Sequence, residues 1–202
     1  MIVHNVEQRT QEWLDLRLGK ITSTTFKKVV GKDWKKYIYS LIADEALGYA
    51  EENDFLSPAM EWGLSNEPFA AEEYEKQTGF QLLSAGFIQP DTIPYIGLSP
   101  DRYYMDGERI IGIEFKCPDT KKHIEIIHTN TIPSEWENQV HFWFLMDENI
   151  VQVDFVSFDP RFTKRPLHVI PTIRPDVDVR GYSEKLAIFR SEWERVRKEV
   201  AV

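Results

Sequence analysis

Cysteine is nearly absent. Cys117 is the single one in 202 residues, which excludes an intrachain disulfide framework, a four-cysteine zinc site and a cysteine-bound iron–sulfur cluster, and fits a reducing compartment. Long apolar runs are missing too: no stretch reaches the ~18 apolar residues of a membrane span, and Met1 to Gly19 lacks the apolar segment of a signal peptide, so a cytoplasmic location with no membrane partner is expected. No internal repeat, low-complexity tract or Gly/Ser linker divides the chain, and residues 1–202 read as one domain. His4, His123, His128, His141 and His168 show no zinc-ligand spacing, and no Gly-x-Ser-x-Gly, Walker or dinucleotide fingerprint occurs. Basic residues are the minority, 24 Lys and Arg against 33 Asp and Glu for a net charge of −9, which taken alone argues against a nucleic-acid partner.

What is present starts with core material, 42% hydrophobic and 13% aromatic residues beside 28% charged ones, enough for a globular fold and too apolar for disorder. The charge is unevenly spread. Residues 1–50 carry a net +2, residues 51–101 a net −9 and the remainder −2. In the first segment Arg17, Lys20, Lys27, Lys28, Lys32, Lys35 and Lys36 face only Asp15 and Asp33. This composition fits either a local basic surface able to hold phosphates near metal-binding carboxylates or a solvated lysine face of an acidic protein.

Thr10 is positioned to cap a short helix carrying Trp13, Leu14 and Arg17 that Gly19 ends; Thr22 to Thr25 offers caps for a further turn or two through Val30. A helix follows from Asp33 through Leu47, and another from Ser57-Pro58 to Gly79, with Pro68 predicting a kink or break near Glu67. Strands are expected at Gln81 to Gln89, Tyr95 to Leu98, Arg102 to Met105 and Arg109 to Cys117, with Asp106-Gly107 as a hairpin turn. Ser134 to Glu137 matches a capping box ahead of a helix reaching about Met146. Strands from Val151 to Phe155 and from Leu167 to Ile173 precede a last helix, whose stripe of Leu186, Phe189, Trp193, Val196 and Val200 suits the sheet or a neighbouring subunit. The order predicts an α/β (α+β) fold.

Chemistry concentrates between Gly97-Leu-Ser-Pro-Asp101 and Ile113-Glu-Phe-Lys-Cys117. Side chains alternate along a strand, so Glu114 and Lys116 share a face, predicted open, while Ile113, Phe115 and Cys117 enter the core; Asp101 arrives from across the hairpin. Two hard oxygen ligands suffice for magnesium, which keeps waters and substrate phosphate oxygens, and Lys116 is suited to orient or deprotonate an attacking water. A Glu-x-Lys triplet alone arises by chance about 0.7 times in 200 residues. The preceding Pro-Asp and the apolar strand lift it above that background, the alternative being a surface ion pair. The run His141 to Phe144 reads as core rather than a base-stacking platform.

The blocks Trp13-x3-Arg17-x-Gly19-x-Ile21-Thr22, Gly63-x3-Glu67, Ser99-Pro-Asp101, Glu114-x-Lys116-Cys-Pro118 and Gln139 stand in the order seen in lambda-exonuclease-like (YqaJ-type) viral recombinases, which the chain resembles from about Trp13 to Phe144. That group belongs to the Pro-Asp…(Asp/Glu)-x-Lys nuclease superfamily. The resemblance implies a restriction-endonuclease-like core with a mixed central sheet flanked by helices, and a magnesium-dependent exonuclease, with manganese as substitute, that digests the 5′-ended strand of linear duplex DNA in the 5′→3′ direction. It implies that Asp101, Glu114 and the Phe115 carbonyl hold metal with Glu67 completing the site, that Lys116 handles the nucleophilic water and that Gln139 helps position it. For the terminal 5′ phosphate, Arg17 and Ser99 match the family; Thr24 stands at its usual serine position with Ser23 beside it, so either hydroxyl fits. Pro68, directly after Glu67, departs from the pattern. The resemblance further implies a homotrimer ring, a single-strand annealing protein as partner, and a phage or prophage origin in a bacterial host. The alternatives are an endonuclease of the same superfamily, restriction or junction-resolving, and a catalytically silent DNA-binding module.

Overall fold

Four hydrogen-bonded strands in a mixed sheet organise the molecule, in a computed structural model that describes residues 1–50 and 57–201. In chain order the elements begin with β1 (Ile2–His4), α1 (Gln11–Arg17), β2 (Ile21–Thr22), α2 (Ser23–Val30), α3 (Trp34–Leu47) and α4 (Pro58–Thr78). The strands β3 (Phe87–Gln89), β4 (Ile96–Gly97), β5 (Arg102–Asp106) and β6 (Arg109–Lys116) follow. Next come α5 (Thr120–Thr129), α6 (Ser134–Phe142), a 3-10 turn at Trp143–Leu145, β7 (Ile150–Phe158), β8 (Leu167–Ile173) and α7 (Val179–Glu199). The central sheet has the order β5-β6-β7-β8, antiparallel at both outer pairs and parallel between β6 and β7. Gly107, at φ +62°, turns the tight β5–β6 hairpin, and Asp106 pairs with Arg109 across it. The expected mixed α/β architecture is present.

A parallel β6–β7 pair needs a crossover, and α5 and α6 supply it. One face of the sheet, carrying Ile111, Ile113, Phe115 and Val156, packs on Ala70, Ala71 and Tyr74 of α4. The opposite face, carrying Ile110, Val153 and Phe155, packs with Val140 of α6 and Trp143 into a larger core that extends to α2, α3 and α7. Central strands so covered are apolar on both faces.

Several expectations need correction. The break near Pro68 does not occur: α4 runs from Ser57, whose hydroxyl caps it, to Gly79 at φ +76°. Pro68 lacks only the bond to the Leu64 carbonyl, and sheet packing by Ala70, Ala71 and Tyr74 holds the helix beyond it. The capping box at Ser134 does not form, because Pro133 takes the cap position and Ser134 is already in the first turn. Thr22 and Thr25 make such a box at the start of α2 instead. Helix α6 tightens into a 3-10 turn at Trp143. The strand expected from Gln81 shrinks to Phe87–Gln89, which pairs with β1, while Leu83 makes only an isolated bridge to Tyr103. In the α7 stripe, Leu186, Phe189, Trp193 and Val196 are buried in the core that α7 shares with α2, α3 and the sheet face carrying Ile110, Val153 and Phe155, leaving Val200 and the off-stripe Ile188 exposed.

Candidate active site

The β5–β6 register pairs Arg102 with Ile113, so Asp101, one residue before β5, is carried up to Glu114. There the Asp101 Oδ2 accepts the Phe115 backbone N–H at 2.8 Å. The N–H and C=O of one extended residue point to the same strand edge, so the Phe115 carbonyl also faces the Asp101 side. Lys116 Nζ donates to Glu114 Oε1 at 2.6 Å, and the Trp143 indole N–H donates to Glu114 Oε2 at 3.2 Å. Glu67 reaches the group from α4, half-buried, with Arg102 Nη1 at 3.4 Å from its Oε1. The Arg102 guanidinium also donates to the Asp101 carbonyl.

The face expected to be open is not. Glu114 is only 5% exposed, because the Trp143 ring lies over β6. Gly112, two residues earlier on the same face, makes room for it; a Cβ there would sit 2.6 Å from the Trp143 ring. Sequence reasoning placed Trp143 in the core and missed its second role. The available signal was that a buried indole N–H seeks an acceptor.

Three carboxylates thus lie within one another's fields. Asp101 is pushed well above the ordinary aspartate range, by burial first and then by Glu114 and Glu67, with Lys116 pulling the other way. Glu67 is raised by burial and Glu114 against the pull of Arg102, Lys116 and Arg9. The Lys116 ammonium is raised although burial disfavours its charge, since Glu114 and Asp101 outweigh that cost. Burial, Glu67 and Asp101 push the Cys117 thiol up to about 12, so it is no thiolate nucleophile at neutral pH. Arg9 and Arg102, both overlooked in the sequence, complete the charge balance. Among the described residues no three His, Cys, Asp or Glu side chains close around one point as a ready cage; Lys116 sits on Glu114 and Arg102 on Glu67.

Gln139 lies one turn before Trp143 on α6, and its Oε1 is buried with no hydrogen-bond partner among the described residues. Arg17, the last residue of α1, stacks on Trp13, its guanidinium carbon 4.2 Å from the ring centroid, and its Nη1 donates to Ser99 Oγ at 3.0 Å. The Trp13 indole N–H donates to the same oxygen at 2.9 Å and to the Gly86 carbonyl at 3.0 Å, so Ser99 is fixed two residues ahead of Asp101. Of the two hydroxyls left open, Ser23 is buried in the first turn of α2, whereas Thr24 is exposed and bonds Thr22 at 3.1 Å. The histidines His123 and His168 are buried and bonded, His123 to Ser157 and the Arg165 carbonyl, His168 to Asn130 and Arg165.

A family model described as the YqaJ-like viral recombinase domain matches residues 12–144. The chain is similar to the crystal structure of an alkaline exonuclease (LHK-Exo) from Laribacter hongkongensis, at 31% identity and a TM-score of 0.79, covering 95% of this chain and 98% of that one. The same exonuclease in complex with dAMP aligns at 30% identity, with the same TM-score and coverage. A phage-related exonuclease from Haemophilus somnus 129PT shares the fold at 13% identity and a TM-score of 0.66, over 90% of this chain and 96% of that one. No curated protein sequence matches.

Proposed function

This chain belongs to the YqaJ-like viral recombinase family and is a nuclease of that type, and from that premise we propose that it degrades the 5′-ended strand of linear double-stranded DNA, 5′→3′, leaving single-stranded DNA for recombination. The observation that carries this reading is the bond between Arg17 and Ser99. The Arg17 guanidinium fork suits a phosphate, and its partner Ser99 stands two residues from Asp101, about 7 Å of extended chain. An end-binding group one short step from the carboxylates favours removal of terminal nucleotides over internal cleavage. Arg17 and Ser99, with Thr24 or the more buried Ser23, would receive the terminal 5′ phosphate.

Magnesium fits the donor set in kind: Asp101, Glu114 and the Phe115 carbonyl would hold it, with Glu67 near, and the burial and carboxylate repulsion that raise Asp101 and Glu67 are costs a divalent cation would offset. When bound, it would polarise the scissile phosphate and lower the pKa of a water. Lys116, which now donates to Glu114, would orient the attacking water, and the Gln139 Oε1, unpartnered among the described residues, would accept a hydrogen bond from it. Manganese would substitute. The family setting suits a homotrimer ring, a single-strand annealing partner and a phage-derived protein in the bacterial cytoplasm; among the described residues no helix is long and apolar enough to cross a membrane.

The test is digestion of linear duplexes bearing a 5′ phosphate or a 5′ hydroxyl, and of covalently closed circles, with magnesium, manganese or chelator. Rapid loss of the phosphorylated linear duplex with either metal, and intact circles, are expected. Cleaved circles would move the reading to an endonuclease, full activity in chelator would overturn the metal assignment, and binding without cleavage in any metal would leave a silent DNA-binding module.

A further inference from the structure

A protein of net charge −9 carries two adjoining concavities walled by cations. The first, about 470 Å³, lies between the ends of α1 and α2 and the flank of α3 and is lined by Arg17, Lys20, Lys28, Thr22 and Thr25. The second, about 400 Å³, continues along α2 and α3 past Lys27, Lys28, Lys32 and Lys36. Lys28, Tyr37 and Ser40 line both, so the two form one trough that begins at Arg17. Among the described residues the acids on its walls are Asp44 in the first and Asp33 in the second, and Asp33 already pairs with Lys36 at 3.2 Å. Lys20, Lys27, Lys28 and Lys32 have no carboxylate partner among the described residues, while Lys28 rests over the Tyr37 ring at 5.0 Å. Lys20 is half-buried, and burial lowers its pKa with no compensating acid among the described residues. An uncompensated, partly desolvated ammonium is costly without an anion.

We propose that Lys20, Lys27, Lys28 and Lys32 form a phosphate track beside Arg17 that holds the sugar-phosphate backbone of the duplex end. This rests on the exonuclease reading. Duplex is favoured over single strand because single-strand grooves add a series of stacking rings, and here Tyr37 is buried under Lys28, which among the described residues leaves Tyr39 as the exposed ring of the trough. Lysine contacts of this kind position the substrate and add affinity without reading sequence.

Each phosphate neutralised releases counterions, so log K for duplex falls with log[salt] at a slope of about 0.9 per contact, against about 0.7 for single strands. Fluorescence anisotropy with a 5′-phosphorylated duplex in chelator, across a salt series, reads that slope. The Lys27→Gln/Lys28→Gln/Lys32→Gln variant should lose roughly 2.7 from the slope and Lys20→Gln alone about 0.9, with the preference for phosphorylated over hydroxyl ends unchanged because Arg17 is intact. The three substituted lysines are exposed, and the three single variants, each losing about 0.9, carry the test if the triple variant unfolds. An unchanged slope overturns the track while leaving the exonuclease reading standing. Loss confined to single-stranded DNA overturns the duplex assignment. Wild-type protein that binds no DNA at low salt overturns both.

Discussion

Two neighbouring strands carry nearly the same pattern, Ile111-Gly-Ile-Glu114-Phe in β6 and Val151-Gln-Val-Asp154-Phe in β7, and each buries its carboxylate, Glu114 to 5% exposure and Asp154 to 4%. Ile113 pairs with Asp154 and Glu114 with Phe155, so the two acids point to opposite faces of one sheet. Asp154 is closed in by neutral donors, the Tyr74 hydroxyl at 2.6 Å and the Gln152 amide at 2.7 Å, beneath α4. Glu114 is held by a lysine and an indole, with Asp101 and Glu67 close enough to disturb its surroundings electrostatically. A buried carboxylate therefore does not mark a site by itself. What separates chemistry from architecture is whether its neighbours are charged groups that a substrate or cation can rearrange, or neutral donors that are already satisfied.

The largest effect should come from breaking the β6 side. Glu114→Gln and Lys116→Ala should each lower turnover on linear duplex by about 10² or more while circular dichroism stays native, the scale for removing a positioned acid–base or electrostatic group. Asp154→Asn should leave turnover within a few-fold. Equal losses at Glu114 and Asp154 would erase the contrast.

A smaller effect is expected at the end-binding pair, which extends the β6 side beyond the sheet. Arg17→Ala should slow digestion of 5′-phosphorylated ends by about 10- to 150-fold, from the ~1.5–3 kcal/mol of a charge-assisted bond, and change hydroxyl ends little. If Arg17 only stacks on Trp13 and braces its own helix, both substrates will slow by the same factor in parallel kinetic runs.

The smallest effects sharpen the β7 side through stability. Asp154→Ala strands the Tyr74 hydroxyl and should cost about 1–3 kcal/mol in urea unfolding. Burial raises Asp154 above the ordinary 3.8, so the folded protein keeps a proton that the unfolded chain has released. That stability is fully present below the unfolded value and is lost as pH rises through the folded one. Asparagine does not titrate, so the stability of wild type relative to Asp154→Asn should grow as pH falls through this window. A difference that is flat with pH would show that Asp154 does not titrate there.

Much of the β6 side was legible in the sequence. Pro-Asp, a hairpin and Glu-x-Lys on an apolar strand bring Asp101, Glu114 and Lys116 together through strand alternation and a two-residue turn, both local rules. Leu167–Ile173 and the helix from Ser57 to Gly79 were equally readable, the latter because serine, proline and glycine occupy its two ends. The Asp154–Tyr74 bond was not legible, since 80 residues separate its partners and the alternation around Asp154 suggests a half-exposed strand. The same applies to Trp143, whose spacing marks it as core and whose indole finds Glu114 only after α6 folds over β6.

Periodicity and end signals in the sequence by themselves determined most of the elements, though not β1 or α5, together with the order of the chemical residues and the paired motif on β6, because these depend on interactions within a few residues. Tertiary structure alone decided that Glu114 is enclosed rather than open, that Ser99 meets Arg17 and Trp13, that the α7 stripe is spent within the chain, and that lysines scattered from Lys20 to Lys32 line one trough. Those outcomes depend on which helix covers which face. That is settled by packing volume and desolvation across contacts tens of residues apart, quantities that no local pattern encodes.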